Sequence, residues 1–304
     1  MLKLVPIFLI FLLPVLIAAI AVPVINRSHR HFVNPLTKSM RRPPGAQLGR
    51  QLGGEQMELG FGLFEIGMSS LAPIVALFVY QDQLQQTVPQ IFLGLVIVGW
   101  VIWLIFAIRR FIKRVHRIKQ LRLGYECELA VGQELDLLML KGFRVFHDVP
   151  AENFNIDHIV IGTSGVFAVE TKGRSKIMSG NGDGKAQFRV AYKAGVLQFP
   201  NGADREAVPQ AKRQAKWVSQ WLSQATGRSL QAQPLVVLPG WFVENQDKPD
   251  VPVIASGYID GFFSQQKNRV LSDKDVTQIV YQIDRKVRDL KPGEVVRPLA
   301  VEGH

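Results

Sequence analysis

Residues 155–173 read NIDHIVIGTSGVFAVETKG. Two apolar, largely β-branched runs flank a Gly-Thr-Ser-Gly turn, which is the pattern of a β-hairpin. Asp157 stands near the start of the first run, and Glu170 and Lys172 stand at the end of the second. If the turn is centred between Thr163 and Ser164, Gly162 pairs with Gly165 and Asp157 falls opposite Glu170. Opposed residues hold their Cβ atoms about 4.5–5.5 Å apart, and like charges there repel. Either a protonated carboxyl or a bound divalent cation would offset that repulsion, and hard cations take carboxylate oxygens. The two-residue period puts Lys172 on the face of Glu170, about 7 Å along the strand. An ammonium there can orient a metal-bound water and stabilise developing negative charge.

The surrounding sequence has the texture of an α/β domain. Residues 124–141 read as a helix with Val131, Leu135, Leu138 and Met139 on one face, ended by Gly142. Glu128 precedes Val131 and Leu135 by three and seven positions, so it lies at the edge of that stripe. Glu126, Glu134 and Asp136 fall on solvated faces. FRVFHDV (143–149) reads as a strand, and residues 176–199 hold short strands broken by SGNGDG and KAG. A helix over 206–224 carries Trp217 and Trp221, whose spacing fits helix packing better than base stacking. Strands follow at 234–243 and 251–256. Residues 273–290 form an amphipathic helix with Val276, Ile279, Val280, Ile283 and Val287 on one stripe.

The pattern of a Glu on a helix, then Asp, then Glu-x-Lys across a hairpin resembles the PD-(D/E)xK nuclease superfamily, and more closely its nuclease-related domain family, NERD. That family's opening Gly-x-x-Gly-Glu-x-x-Val helix is matched by Gly124-Tyr-Glu-Cys127-Glu128-Leu-Ala-Val131, with Cys127 in place of the second Gly. Its hairpin core is matched by residues 156–162 and 165–172. A downstream helical Gln is matched by Gln210 in EAVPQAKRQA, without the Asn-Pro that often precedes it. The similarity covers roughly residues 124–240. It implies a restriction-endonuclease-like α/β fold, a mixed central sheet flanked by helices. It implies Asp157 and Glu170 as metal ligands with the Thr171 carbonyl, and Lys172 positioning or activating the attacking water. Glu128 would hold a second ion or a metal-bound water, and Gln210 would contact phosphate or support Lys172. The implied cofactor is Mg²⁺ or Mn²⁺. The implied partner is nucleic acid, DNA ahead of RNA, and the implied reaction is phosphodiester hydrolysis. A tethered binding or signalling module that keeps the fold without hydrolysis is the alternative.

The first part of the chain differs in kind. Among 304 residues 47% are apolar and the net charge is +11. Residues 1–123 carry 14 Lys and Arg against four Asp and Glu, whereas the remainder carries 22 against 21. The excess therefore flanks the apolar runs, which the positive-inside rule explains without nucleic acid. Residues 1–25 read as a transmembrane helix or signal anchor, and 26–58 as a basic polar linker containing the cluster His29-Arg30-His31. Residues 59–108 read as a transmembrane helical hairpin with Glu65 near one end, 109–123 as a basic juxtamembrane segment, and 124–304 as the α/β domain. The turn between the second and third spans holds one acid and no base, while RRFIKRVHRIKQLR follows the third. That contrast predicts a multi-pass inner- or plasma-membrane protein with its C-terminal domain in the cytoplasm and the basic stretch against the lipid bilayer.

Other signals read blandly. SGNGDGK (179–185) lacks the first Gly and the final Ser/Thr of a phosphate loop and reads as a turn. His147 and Asp148 adjoin at a strand end without ligand spacing, and strand parity turns His158 away from Asp157. Cys127 is the single cysteine, which forbids an intramolecular disulfide and leaves no Cys–His pair in view.

Overall fold

The computed structural model describes residues 39–87, 90–177, 187–245 and 249–288. The first expected span, His29 to His31 and the SGNGDGK turn lie outside these. The chain divides into two compact units. One is Glu55–Arg117, and the other comprises Ile118 onward together with Lys38–Gly54.

The first unit takes its residues from two long helices, α1 (Ala46–Thr87) and α2 (Gln90–Asp136), whose outer ends, 46–54 and 118–136, belong to the second unit. Trp100 donates to the Ser69 carbonyl, Arg114 bridges Glu55 and Glu58, and Arg117 pairs with Glu55. These contacts join late residues of one helix to early residues of the other, so the two run antiparallel as a helical hairpin. Ile91, Leu95, Ile102 and Phe106 point outward and are exposed. One helix among the described residues, beginning at Gly94, is long and apolar enough to cross a membrane, and none of its apolar window is buried. Glu65 lines a cleft of about 190 Å³ with Trp103, Phe106 and Arg110.

Two expectations about helix limits are corrected. The last part of the expected linker is helical from Ala46, because its Gln, Leu, Arg, Glu and Met residues favour helix enough to carry its glycines. The basic segment 109–123 is also helical, and the helix expected from Gly124 continues α2 without a break. One Gly in a helix costs only about 1 kcal/mol, and no proline interrupts that run. A 3₁₀ turn, Leu137–Lys141, follows α2 and ends at Gly142, whose φ of 89° suits glycine as the sequence predicts.

The second unit holds β1 (Arg144–Pro150), β2 (Asn155–Gly162), β3 (Gly165–Thr171), β4 (Arg189–Lys193), β5 (Val196–Phe199), β6 (Gly202–Asp204), α3 (Ala207–Thr226), β7 (Ala232–Leu238), β8 (Phe242–Asn245), β9 (Val253–Ala255), α4 (Ile259–Ser264) and α5 (Asp273–Val287). The central sheet has the order β1-β2-β3-β7-β9 and the second sheet β6-β5-β4-β8. Both are mixed. β1, β2 and β3 pair antiparallel, β3, β7 and β9 parallel, and β4 pairs antiparallel with β5 but parallel with β8.

Helices cover both faces of the central sheet. On one, Ile159, Ile161, Val166 and Ala168 meet Val218 and Leu222 of α3 and Ile279 and Ile283 of α5. On the other, Val160, Phe167, Val169 and Leu235 meet Val131 and Leu135 of α2 and Ile259 and Phe263 of α4. The first turns of α3 also bury Ala207, Val208 and Ala211 against the second sheet. Alternate strand residues serve alternate faces, as the two-residue period requires. The expected α/β class with a mixed sheet flanked by helices stands.

Candidate active site

The hairpin has the register the sequence predicts. Gly162 pairs with Gly165 and His158 with Val169, so Asp157 and Glu170 stand one step beyond the last ladder pair. Glu170 shares the face of Val166 and Ala168, toward α3. Asp157 is partly exposed, and its Oδ2 accepts the Thr171 N–H at 2.7 Å. Glu170 is 3% exposed, and its Oε2 accepts Nε2–H of Gln214 on α3 at 2.7 Å. Lys172 leaves β3 with its N–H on the Val237 carbonyl, and its Nζ lies 3.6 Å from Asp204 Oδ2.

The helix supplies the third acid. Val131 and Leu135 of α2 are fully buried, and Glu128 stands one and two turns before them at the edge of that buried stripe. Its carboxylate lies 3.5 Å from the point a Cβ on Gly45 would occupy. Gly45 itself has φ +69°, and a side chain there would also strike the Tyr125 ring at 2.8 Å. Segment 39–45 can therefore pass close over the helix only with glycine at this position. Cys127, one residue before Glu128, has its Sγ only 2.8 Å from where a Cβ on Gly173 would stand. Burial and the charges of Glu126 and Glu128 push its thiol up, which keeps it protonated.

Electrostatics join these acids. Burial, then the charges of Asp157 and Asp148, push Glu128 up to about 9. Burial also raises Asp157, to about 7. The Thr171 N–H and the Lys172 charge pull it down, and the Asp148 charge pushes it up. Glu170 is held well above the usual carboxylate range by burial first and the Asp157 charge second, with Glu128 adding to it. Burial is the main cause for all three, and the Asp157 charge makes both Glu128 and Glu170 harder still to ionise. A cation would remove that penalty. By contrast, burial acts to raise Asp204, but the N–H groups of Ala207 and Glu206 and the charges of Lys172 and Arg174 outweigh it, leaving Asp204 lowered.

Three features were not read from the sequence. Asp148, 2% exposed with φ 48°, sits where the β1–β2 ladder skips from His147↔His158 to Val149↔Ile156. Arg42 Nη1 lies 3.2 Å from its Oδ2, and Asn155 Nδ2 donates to its Oδ1 at 2.7 Å. Burial raises Asp148, and Asn155, Arg42 and Arg50 act against this. The FRVFHDV run gave one signal, since its apolar residues change parity around Asp148. The second feature is Gln214. The expected Gln210 lies one turn earlier and is partly exposed, and it is Gln214 that meets Glu170. The third is a chain of imidazoles. His158 is fully buried and turned from Asp157 as parity predicts. Its Nδ1 is 2.9 Å from His147 Nδ1, and its Nε2 is 3.1 Å from Thr171 Oγ1. His147 Nε2 is in turn 3.0 Å from Asp136 Oδ1.

Among the described residues, no group of three or more His, Cys, Asp or Glu side chains is gathered to hold a metal by itself. Two carboxylates, a backbone carbonyl and waters still suit Mg²⁺, which needs few protein ligands. Gln214 Oε1 is buried without a hydrogen-bond partner, on the same amide whose Nε2–H meets Glu170.

Residues 123–239 match the family model described as the nuclease-related domain, NERD. Searches of curated proteins and of solved structures gave no match. The matched stretch runs from the end of α2 through β7 and contains Glu128, Asp157, Glu170, Lys172 and Gln214. Residues 123–239 of this chain are a nuclease-related domain.

Proposed function

We propose that this chain is a membrane-anchored nuclease, a metal-dependent phosphodiesterase acting on nucleic acid from the cytoplasmic side. The observation that carries the reading is the hairpin register, which brings Asp157, Glu170 and Lys172 to one end of the sheet, where burial and the Asp157 charge raise both Glu128 and Glu170. Oxygen donors that resist ionisation until a positive charge arrives are what a hard cation neutralises. Asp157, Glu170 and the Thr171 carbonyl would hold Mg²⁺ or Mn²⁺, with Glu128 engaging it through a water. The ion, when bound, would lower the pKa of a coordinated water and offset the charge of the scissile phosphate. Lys172 orients the attacking water and steadies charge on the phosphoryl oxygens. Its ammonium is held at 3.6 Å by Asp204, which the N-terminus of α3 fixes through two N–H donors. Gln214 fixes the carboxylate of Glu170.

The membrane part of the proposal draws on the outward apolar residues of the helical hairpin and on the apolar helix from Gly94. The orientation draws on the base-free turn between the helices and the bases that follow Ile108. DNA is favoured over RNA as substrate. The test is cleavage of nucleic acid by the full chain in detergent with Mg²⁺ or Mn²⁺. Asp157→Ala should abolish the cut, and cleavage that survives the substitution would overturn the assignment.

A second reading is a non-catalytic module that keeps the fold. The engagement of Lys172 with Asp204 and the near-neutral charge after residue 123 favour it. Calorimetry with Mg²⁺ separates the two. Uptake that is lost in Glu170→Gln supports the enzyme, and no uptake supports the module.

A further inference from the structure

We infer that His158 and His147 are positioning residues for the candidate site, forming a relay from Asp136 that fixes the Thr171 end of β3. The relay is built from three contacts: Asp136 Oδ1 to His147 Nε2 at 3.0 Å, His147 Nδ1 to His158 Nδ1 at 2.9 Å, and His158 Nε2 to Thr171 Oγ1 at 3.1 Å.

Hydrogen-bond polarity follows from the donors available. An ionised Asp136 only accepts, so His147 donates through Nε2–H. A neutral His147 then accepts at Nδ1, which requires the proton of His158 to sit on its Nδ1. His158 Nε2 is left as an acceptor, and the Thr171 hydroxyl must donate to it. His158 is fully buried, so His147 and Thr171 are the partners its ring nitrogens meet. The two rings meet edge to face at 84°, and each imidazole nitrogen offers one in-plane direction to a partner.

The consequence lies in Thr171. Its hydroxyl is committed to His158 and its N–H to Asp157 Oδ2. One residue thus links the imidazole pair to the acid that would bind metal, and the rotamer of Thr171 is set from the far side of the sheet. The helix face of Asp136 and the strand face of Asp157 are coupled through it. Imidazoles that orient ligands in this way typically change metal affinity about 10–100-fold when lost. This inference rests on the reading of Asp157 and Thr171 as metal-site residues, but its first test does not.

That test is ¹⁵N imidazole NMR of the metal-free full chain at about pH 8, above the usual histidine range. The expected result is a neutral His158 protonated at Nδ1 and a neutral His147 protonated at Nε2. Asp136→Ala, a change at the exposed end of the relay, should release His147 and produce a second population of both rings with the opposite tautomers. A wild-type His158 protonated at Nε2 overturns the relay. The second test is Mn²⁺ calorimetry on Thr171→Val, which is isosteric but lacks the hydroxyl, and on His158→Gln. Both should lose affinity by about 10-fold or more. Wild-type affinity in Thr171→Val overturns the positioning role. Absence of Mn²⁺ uptake by the unsubstituted chain would overturn the metal reading and the positioning role with it, while the tautomers would still decide the relay.

Discussion

Asp157 shows how one side chain reports its surroundings. Its pKa is raised from the usual 3.8 to about 7, and that of Glu128 from 4.5 to about 9. A carboxyl raised in the folded state binds more protons there than in the unfolded state. Its stabilising contribution is therefore complete below the unfolded value and is lost as pH climbs through the folded value. The metal-free chain should lose thermal stability between about pH 4 and pH 9 on this account. Melting curves should show a shallower loss in Asp157→Asn, and Mg²⁺ should raise the midpoint more at pH 8 than at pH 5 (both roughly chosen to bracket the shift). The glutamines give a second residue-level comparison. Gln214→Leu removes the buried donor to Glu170 and should cost about 1–3 kcal/mol in urea unfolding. Gln210→Ala, at a partly exposed position, should stay within about 0.5 kcal/mol.

Elements explain which of these residues were legible. The hairpin was, because a period of two and a four-residue turn leave one register that buries both runs. Glu128 was legible at the edge of a stripe with a period of 3.6 residues. Gln214 was not. It sits four residues after Gln210 on the same helical face, and only the axial placement of α3 against β3 decides which of them reaches Glu170. Asp148 was nearly hidden for another reason, since a left-handed φ at a non-glycine strand residue shows only as a change of parity in the apolar residues around it. The relay was hidden because cross-strand neighbours 11 residues apart, and a helix residue behind them, meet only when the sheet is assembled. Helix ends are simpler. Ser272 caps α5 by accepting from Asp275 N–H while the Asp275 carboxylate accepts from the Ser272 N–H. Ser272→Ala should therefore cost about 1 kcal/mol, measurable by denaturant titration. Gly132→Val in α2 should cost more, because a Cβ there would come within 2.5 Å of the Pro44 ring.

At the scale of the whole molecule, composition already separated the chain into an apolar, basic first part and a nearly neutral second part. That division is echoed by the two compact units, although the boundary differs. Lys38–Gly54, which includes the first turns of α1, clusters with the domain and not with the rest of that helix. No periodicity marked that segment, since its contacts, to Tyr125, Asp148 and Asp284 among others, are made to residues far along the chain. The exposed apolar helix surface predicts that the full chain partitions into membranes and needs detergent for extraction, which fractionation in carbonate and in detergent would check.

The Arg42–Asp148 pair has a bearing on where this domain can be cut free. Similarity to the family begins at residue 123, yet the guanidinium that answers a buried carboxylate comes from residue 42, which precedes both long helices along the chain. A fragment starting where the homology starts would strand that carboxylate in the interior without its counter-charge. Removing one member of such a pair typically costs about 3–5 kcal/mol. The evolutionary border and the folding border thus lie in different places, and a piece of chain outside the recognisable motif is as much a part of the domain as the hairpin itself.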